Sequence, residues 1–210
     1  MGLGISVGML CDQARNDPEG FVAHRDGFER LSRALAAEGV EWHEPEVIHA
    51  DGEHDFSGGF PYSYLAHLRR AFTLAGHGEP VTAASTVSDE EYAQDLEKVT
   101  DDSTMFASHL LCHADYGGYY VPVDFEDPLF LPQEADIAGA GMVGSSQRLL
   151  AELVGFAASI GVEIDEKGTP NTAAAGLADA EAFDAERYAW TTLYGACLAS
   201  VESGHAIVFC

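Results

Sequence analysis

"ADIAGAGMVGSSQRLLAEL", residues 135–153, sets Gly139, Gly141 and Gly144 in the spacing G-x-G-x-x-G ahead of a helical run. That spacing decides between two fold classes. A dinucleotide-binding loop would make the chain a doubly wound α/β protein. Such a loop needs an apolar strand to deliver its first glycine and a helix N-terminus to meet the pyrophosphate. The helix is there in the pattern, with Leu149, Leu150, Leu153, Val154, Ala157 and Ile160 at helical spacing. The strand is not: Pro132, Glu134 and Asp136 stand where a buried parallel strand should run. Glu163 and Asp165 fall late for an acid that grips the ribose. About 70 residues follow Gly139, too few for a set of βαβ units of roughly 30 residues each. The glycines therefore form a turn, and Ser145 or Ser146 caps the helix. The N–H groups of Gly144, Ser145 and Ser146 remain a candidate site for a small anion or a partner's carboxylate.

Working outward, Leu3 to Leu10 alternates like a first strand. Asp17-Pro18-Glu19 starts a helix carrying Phe21, Phe28, Leu31 and Leu35, with Gly39 as its stop. Residues 40–61 read as loop with a short strand at Val47-Ile48. Tyr64, Leu65, Leu68 and Phe72 mark a second helix. Residues 77–104 are polar and read as a surface insertion, with EEYAQDLEKV a short helix. Two apolar runs flank Tyr116-Gly117-Gly118 and predict a β-hairpin over 106–125, with Pro122 restricting its second strand to an edge. Residues 183–201 form a last helix ended by Gly204, and AIVFC a buried C-terminal strand. This order predicts one α+β domain over 1–210: a mainly antiparallel sheet covered by about four helices.

The chain of 210 residues holds 35 acids against 10 Lys plus Arg, a formal net charge of −25. Such a field repels DNA, RNA and anionic membranes and attracts cationic partners. Solubility in a salty cytoplasm, capture of a basic protein and cation binding all produce this composition. No run reaches the ~20 apolar residues of a membrane span. The N-terminus matches the myristoylation pattern through Gly2 and Ser6, but its alternation reads as strand. Cys11, Cys112, Cys197 and Cys210 form no C-x-x-C, so free thiols in a reducing cytoplasm are expected.

Two histidine constellations carry a metal alternative. His109 and His113 are four apart with Asp115 close by. On a helix they would share a face, but on the expected strand they stand ~13 Å apart. "HADGEHDFSGG" resembles the start of a calcium loop through Asp51, Glu53, Asp55 and Ser57, yet Phe56 and Tyr62 replace its required Gly and Glu. His49 and His54 would add nitrogen ligands for zinc or another divalent metal. No G-x-S-x-G, Walker A or H-E-x-x-H motif occurs. Asp115, Tyr116 and Tyr120 offer a charged, aromatic surface to a partner.

The ordered blocks "GLGISVGML", "YSYLAHLRRA", "GYYVPVDF", "GMVGSSQRLLAEL" and "AIVFC" resemble a family of bacterial hypothetical proteins over most of the chain. The resemblance implies a cytosolic, single-domain protein and supplies no catalytic residues. By size and charge alone the chain is also similar to immunity proteins that neutralise secreted toxins. The leading expectation is a non-enzymatic protein without cofactor that binds a basic protein, and neither nucleic acid nor membrane. The alternative is a metal-dependent hydrolase assembled from 49–55 and 109–115.

Overall fold

Strand β1, Gly2–Val7, buries Leu3, Ile5 and Val7 on one side, as its alternation requires. The strand does not continue to Leu10, because Gly8 turns left-handed (φ 73°) and starts helix α1, Met9–Asn16. This computed structural model describes residues 2–45, 55–171 and 180–210. The expected strand at Val47-Ile48 lies outside them. Helix α2, Pro18–Ala37, begins and ends where its punctuation says: the Asp17 carboxylate accepts from the Gly20 N–H at 3.0 Å, and Gly39 follows at φ 82°.

Strand β2, Phe56–Pro61, pairs antiparallel with β1 and leads directly into α3, Tyr62–Gly76. Helix α4, Asp89–Ser103, is opened by a capping box between Ser88 and Glu91. It is longer than the short helix expected there, and none of its residues is fully buried. A single helical turn, α5 (His109–Cys112), precedes β3, Gly118–Val121. Strand β4 is Leu129–Phe130 and β5 is Met142–Ser145. Helix α6, Ser146–Phe156, and a small β6/β7 ladder (Glu163–Ile164, Pro170–Asn171) precede α7, Asp184–Ser203, which Gly204 ends at φ 81°. Strand β8 is Ile207–Phe209.

The main sheet has the order β2-β1-β8-β3-β5-β4. It is mixed rather than mainly antiparallel, since β3 and β5 run parallel in its interior. The expected 106–125 hairpin is absent. Its first half is the α5 turn, and β3 lies between β8 and β5 instead of beside a hairpin partner. Strand β3 is central, not an edge, because it ends at Val121, one residue before Pro122. Seven α-helices, not four, are present among the described residues.

The helices cover both faces. Leu10, Phe28, Leu31 and Leu35 of α1 and α2 pack on Tyr119, Val121, Val143 and Val208. Leu65, Leu68, Leu149, Leu153, Trp190 and Leu193 of α3, α6 and α7 pack on Leu3, Ile5, Tyr120 and Phe209. Adjacent tyrosines thus go to opposite cores, as pleating dictates.

The glycines of 139–144 have packing reasons. Strand β5 follows Gly139 and Gly141 rather than delivering them. A side chain on Gly139, already at φ 70°, would fall onto the Gly117 carbonyl. One on Gly144 would enter the Tyr120 ring. The motif lets backbones and a ring approach closely.

Candidate partner-binding surface

Most cations are either buried or gathered on one side. Arg25, Arg30 and Arg33 lie on α2, where Glu29 reaches Arg25 and Arg33 at 4.0 Å. Arg69, Arg70 and Arg187 are buried. Lys98 is bound to Glu79 and Asp95 at 2.7 and 3.1 Å, and Arg148 to Asp124. The exposed carboxylates of α4 and of the 115–136 segment are therefore left largely without compensation. They include Glu90, Glu97, Asp101, Glu126, Asp127 and Asp136.

Helix α4 places seven of its acids, Asp89, Glu90, Glu91, Asp95, Glu97, Asp101 and Asp102, along one short rod. Five of them, Asp89, Glu90, Glu91, Glu97 and Asp101, are exposed, while Asp95 is held by Arg70 and Lys98. Twelve steps at 1.5 Å spread the five over about 18 Å, about one carboxylate per 4 Å, of the same order as the 3.4 Å per phosphate of one DNA strand. Glu90, Glu97 and Asp101, spaced by seven and four, share a face of the helix. The rod is fixed by polar contacts. Arg70 binds Asp95 at 2.7 Å, and the Tyr92 hydroxyl meets His67 Nδ1 at 2.8 Å.

The family described as "Putative DNA-mimic protein" matches residues 1–209. The chain belongs to that family. No curated protein and no solved structure matches the chain. No helix among the described residues is long and apolar enough to cross a membrane.

The residues singled out by sequence are placed unevenly around this acidic surface. Asp115 is exposed and paired with the buried Arg69, whose guanidinium also donates to the carbonyls of Leu110 (2.9 Å) and His113 (2.6 Å). Tyr116 is 67% exposed. Tyr120 is buried, and its hydroxyl donates to the His109 carbonyl at 2.9 Å. It cannot face a partner, which corrects the expected trio. Ser145 and Ser146 are fully buried. The Ser145 hydroxyl donates to Val123 O at 2.6 Å and accepts the Arg148 N–H at 3.2 Å. Ser146 shares a hydrogen bond with Ser200 at 2.8 Å. Ser145 is thus the expected helix cap, but the expected anion site at Gly144, Ser145 and Ser146 is closed by burial.

His109 and His113 are buried rather than poised for a metal. His109 Nδ1 accepts the Ser145 N–H at 3.0 Å, so its proton sits on Nε2 and faces the Glu126 carbonyl at 3.2 Å. Burial pushes its pKa down. His113 stacks on Tyr120 at 4.2 Å and lies 2.9 Å from the Ala114 carbonyl. The two do not sit on a strand: His109 opens α5 and His113 follows its end. Among the described residues no three metal-binding side chains converge. His49 and His54 lie outside the described residues.

Full burial pushes the His113 pKa down to about 3. An unfolded His titrates near 6.5, so below that pH only the unfolded chain takes the proton. The stability that depends on a neutral His113 is complete above pH ~6.5 and is lost as pH falls toward 3, at about 1.4 kcal/mol per pH unit. The stability difference between wild type and His113→Asn should therefore shrink by about 2 kcal/mol from pH ~7.5 to ~5 in urea unfolding. A gap that stays constant would show that His113 is not held neutral.

What bends 108–112 into a helical turn is Glu152. Its carboxylate accepts the His109 and Leu110 N–H groups, both at 2.8 Å, and the Ser108 hydroxyl at 3.2 Å. Burial pushes its pKa up, opposed by these donors. Glu152→Ala orphans two amides and should cost about 2 kcal/mol in thermal or urea unfolding. Sequence reasoning missed this contact because it spans more than forty residues. It also missed Met105, Phe106 and Phe130, which stand exposed beside the acids.

Proposed function

We propose that this protein binds a DNA-binding protein on the surface that protein uses for DNA, its carboxylates standing in for phosphates. The observation that carries the proposal is the row of exposed carboxylates on α4, about one per 4 Å along its axis, which the exposed arginines of α2 do not neutralise. Membership of the DNA-mimic family gives the charge a direction. The basic partner expected from composition is thereby narrowed from any cationic protein to one that already binds a regular array of anions. Electrostatic complementarity of this kind raises association rates and excludes acidic competitors.

The test is displacement. Bacterial proteins are loaded on immobilised duplex DNA and washed with this protein. Release of a discrete set of DNA-binding proteins is expected. Polyglutamate of equal total charge should not release the same set. Release by both alike would reduce the effect to ion exchange, and release by neither would remove the proposal.

A further inference from the structure

Beside the C-terminal end of α4 the surface stops being purely acidic. Met105 is 75% exposed, Phe106 54% and Phe130 51%. The two rings touch edge to face, with centroids 5.0 Å apart. Neither phenylalanine belongs to either hydrophobic core. Phe106 is held at φ 55°, a region a bulky residue enters only against strain. The turn that holds it is tied by Met105 N–H to Asp102 O at 3.1 Å and Phe106 N–H to Ser103 O at 3.3 Å. Phe130 projects from the edge strand β4, which pairs with β5 alone. Two separate elements thus present one apolar knob. Asp101 and Asp102 lie on its α4 side, Glu126 and Asp127 precede it on the β4 side, and the cations nearest in sequence on the two sides, Lys98 and Arg148, are already bound to Glu79 and Asp95 and to Asp124.

We infer that Met105, Phe106 and Phe130 form the apolar anchor of the docking surface, and that the occupant is a basic amphipathic α-helix whose Lys and Arg side chains flank apolar ones. The inference rests on the DNA-mimic reading of the acidic surface and adds the part that charge alone does not supply. Charge complementarity names the occupant: an apolar knob bordered by carboxylates on both sides fits an apolar ridge bordered by cations. Helices that enter the major groove have this make-up, since they meet phosphates with cations and thymine methyl groups with apolar side chains. Exposed aromatic anchors surrounded by polar margins are where binding energy concentrates. The acids would set the rate of encounter, and the aromatic pair the lifetime of the complex.

The probes are two synthetic helical peptides of equal positive charge. One carries Leu and Met between its cations, the other Ala. Wild-type protein is expected to bind the Leu/Met peptide at least about tenfold more tightly, the size of effect a buried aromatic anchor gives. Phe106→Gly combined with Phe130→Ser should abolish that preference while leaving the salt dependence of both peptides unchanged. Folding of this variant is protected, because glycine accepts a positive φ without strain and both side chains lie outside the cores. Binding of both peptides with no preference in wild type would overturn the anchor and leave the acidic surface standing. A preference that survives in the double variant would overturn it too. Binding of neither peptide would overturn the anchor together with the reading on which it rests.

Discussion

Arg70→Met lowers the free energy of unfolding by about 3–5 kcal/mol, the cost of removing one partner from a buried ion pair. The Arg70 side chain is 1% exposed and that of Asp95 13%. The guanidinium donates to Asp95 at 2.9 Å through Nε, to the Thr82 carbonyl at 2.6 Å and to the Thr82 hydroxyl at 2.9 Å. Methionine fills similar space but leaves the Asp95 carboxylate with only the partly exposed Lys98, and two Thr82 groups without a donor. Because α4 buries no residue fully, this pin carries a large part of its attachment to α3. Amide exchange across 89–103 should therefore accelerate before the rest of the chain unfolds, which hydrogen exchange would read directly. The double variant Arg70→Met with Asp95→Leu should recover much of the loss, since a buried pair exchanged for apolar groups is often neutral. Losses that simply add, the double variant losing the sum of what Arg70→Met and Asp95→Leu lose singly, would mean that the pair contributes no coupling. The same pin has a functional consequence. The proposed imitation of DNA requires a rigid charge array, and Arg70 fixes the helix that would carry it.

The helices whose ends carry chemical punctuation are legible in the sequence. Asp17 and Pro18 start α2, Ser145 starts α6, and Gly204 stops α7, each as local rules require. The failures share a different cause. Gly117-Gly118 looks like a hairpin turn, but the chain before it is captured by Glu152 and Arg69 from distant helices. Strand β2 hides in a glycine-rich stretch because its partners demand the glycines. A side chain on Gly59 would collide with the Leu3 carbonyl and one on Gly58 with Thr192 of α7. The surface follows the same division. The excess of acid is a property of composition. The placement of Arg25 and Arg33 on the face of the sheet opposite α4 is tertiary, and so is the meeting of Phe106 with Phe130 across 24 residues. Nothing in a one-dimensional reading marks a phenylalanine for positive φ.

Placement, not total charge, is what the remaining prediction isolates. Take the DNA-binding protein displaced most strongly from duplex DNA as partner. Its association rate with wild type should fall about 100-fold as salt rises from about 20 mM to 500 mM, because steering between exposed charges is screened beyond a Debye length. The triple variant Glu90→Gln, Glu97→Gln and Asp101→Asn removes three carboxylates from one face of α4. It should lose most of that salt dependence and associate slowly even at low salt. Its stability should hold or rise slightly, since three like charges leave an exposed helix and the Ser88–Glu91 capping box is kept. The control is three acids removed elsewhere: Asp26→Asn, Glu29→Gln and Glu38→Gln on or just beyond α2, where Arg25 and Arg33 stand among the acids. Both triple variants change net charge by the same amount. If the protein acts as a diffuse polyanion, the two behave alike and the DNA-mimic reading of α4 fails. If it imitates a strand of phosphates, only the α4 variant loses its partner, because the partner's cations meet a spacing and not a sum.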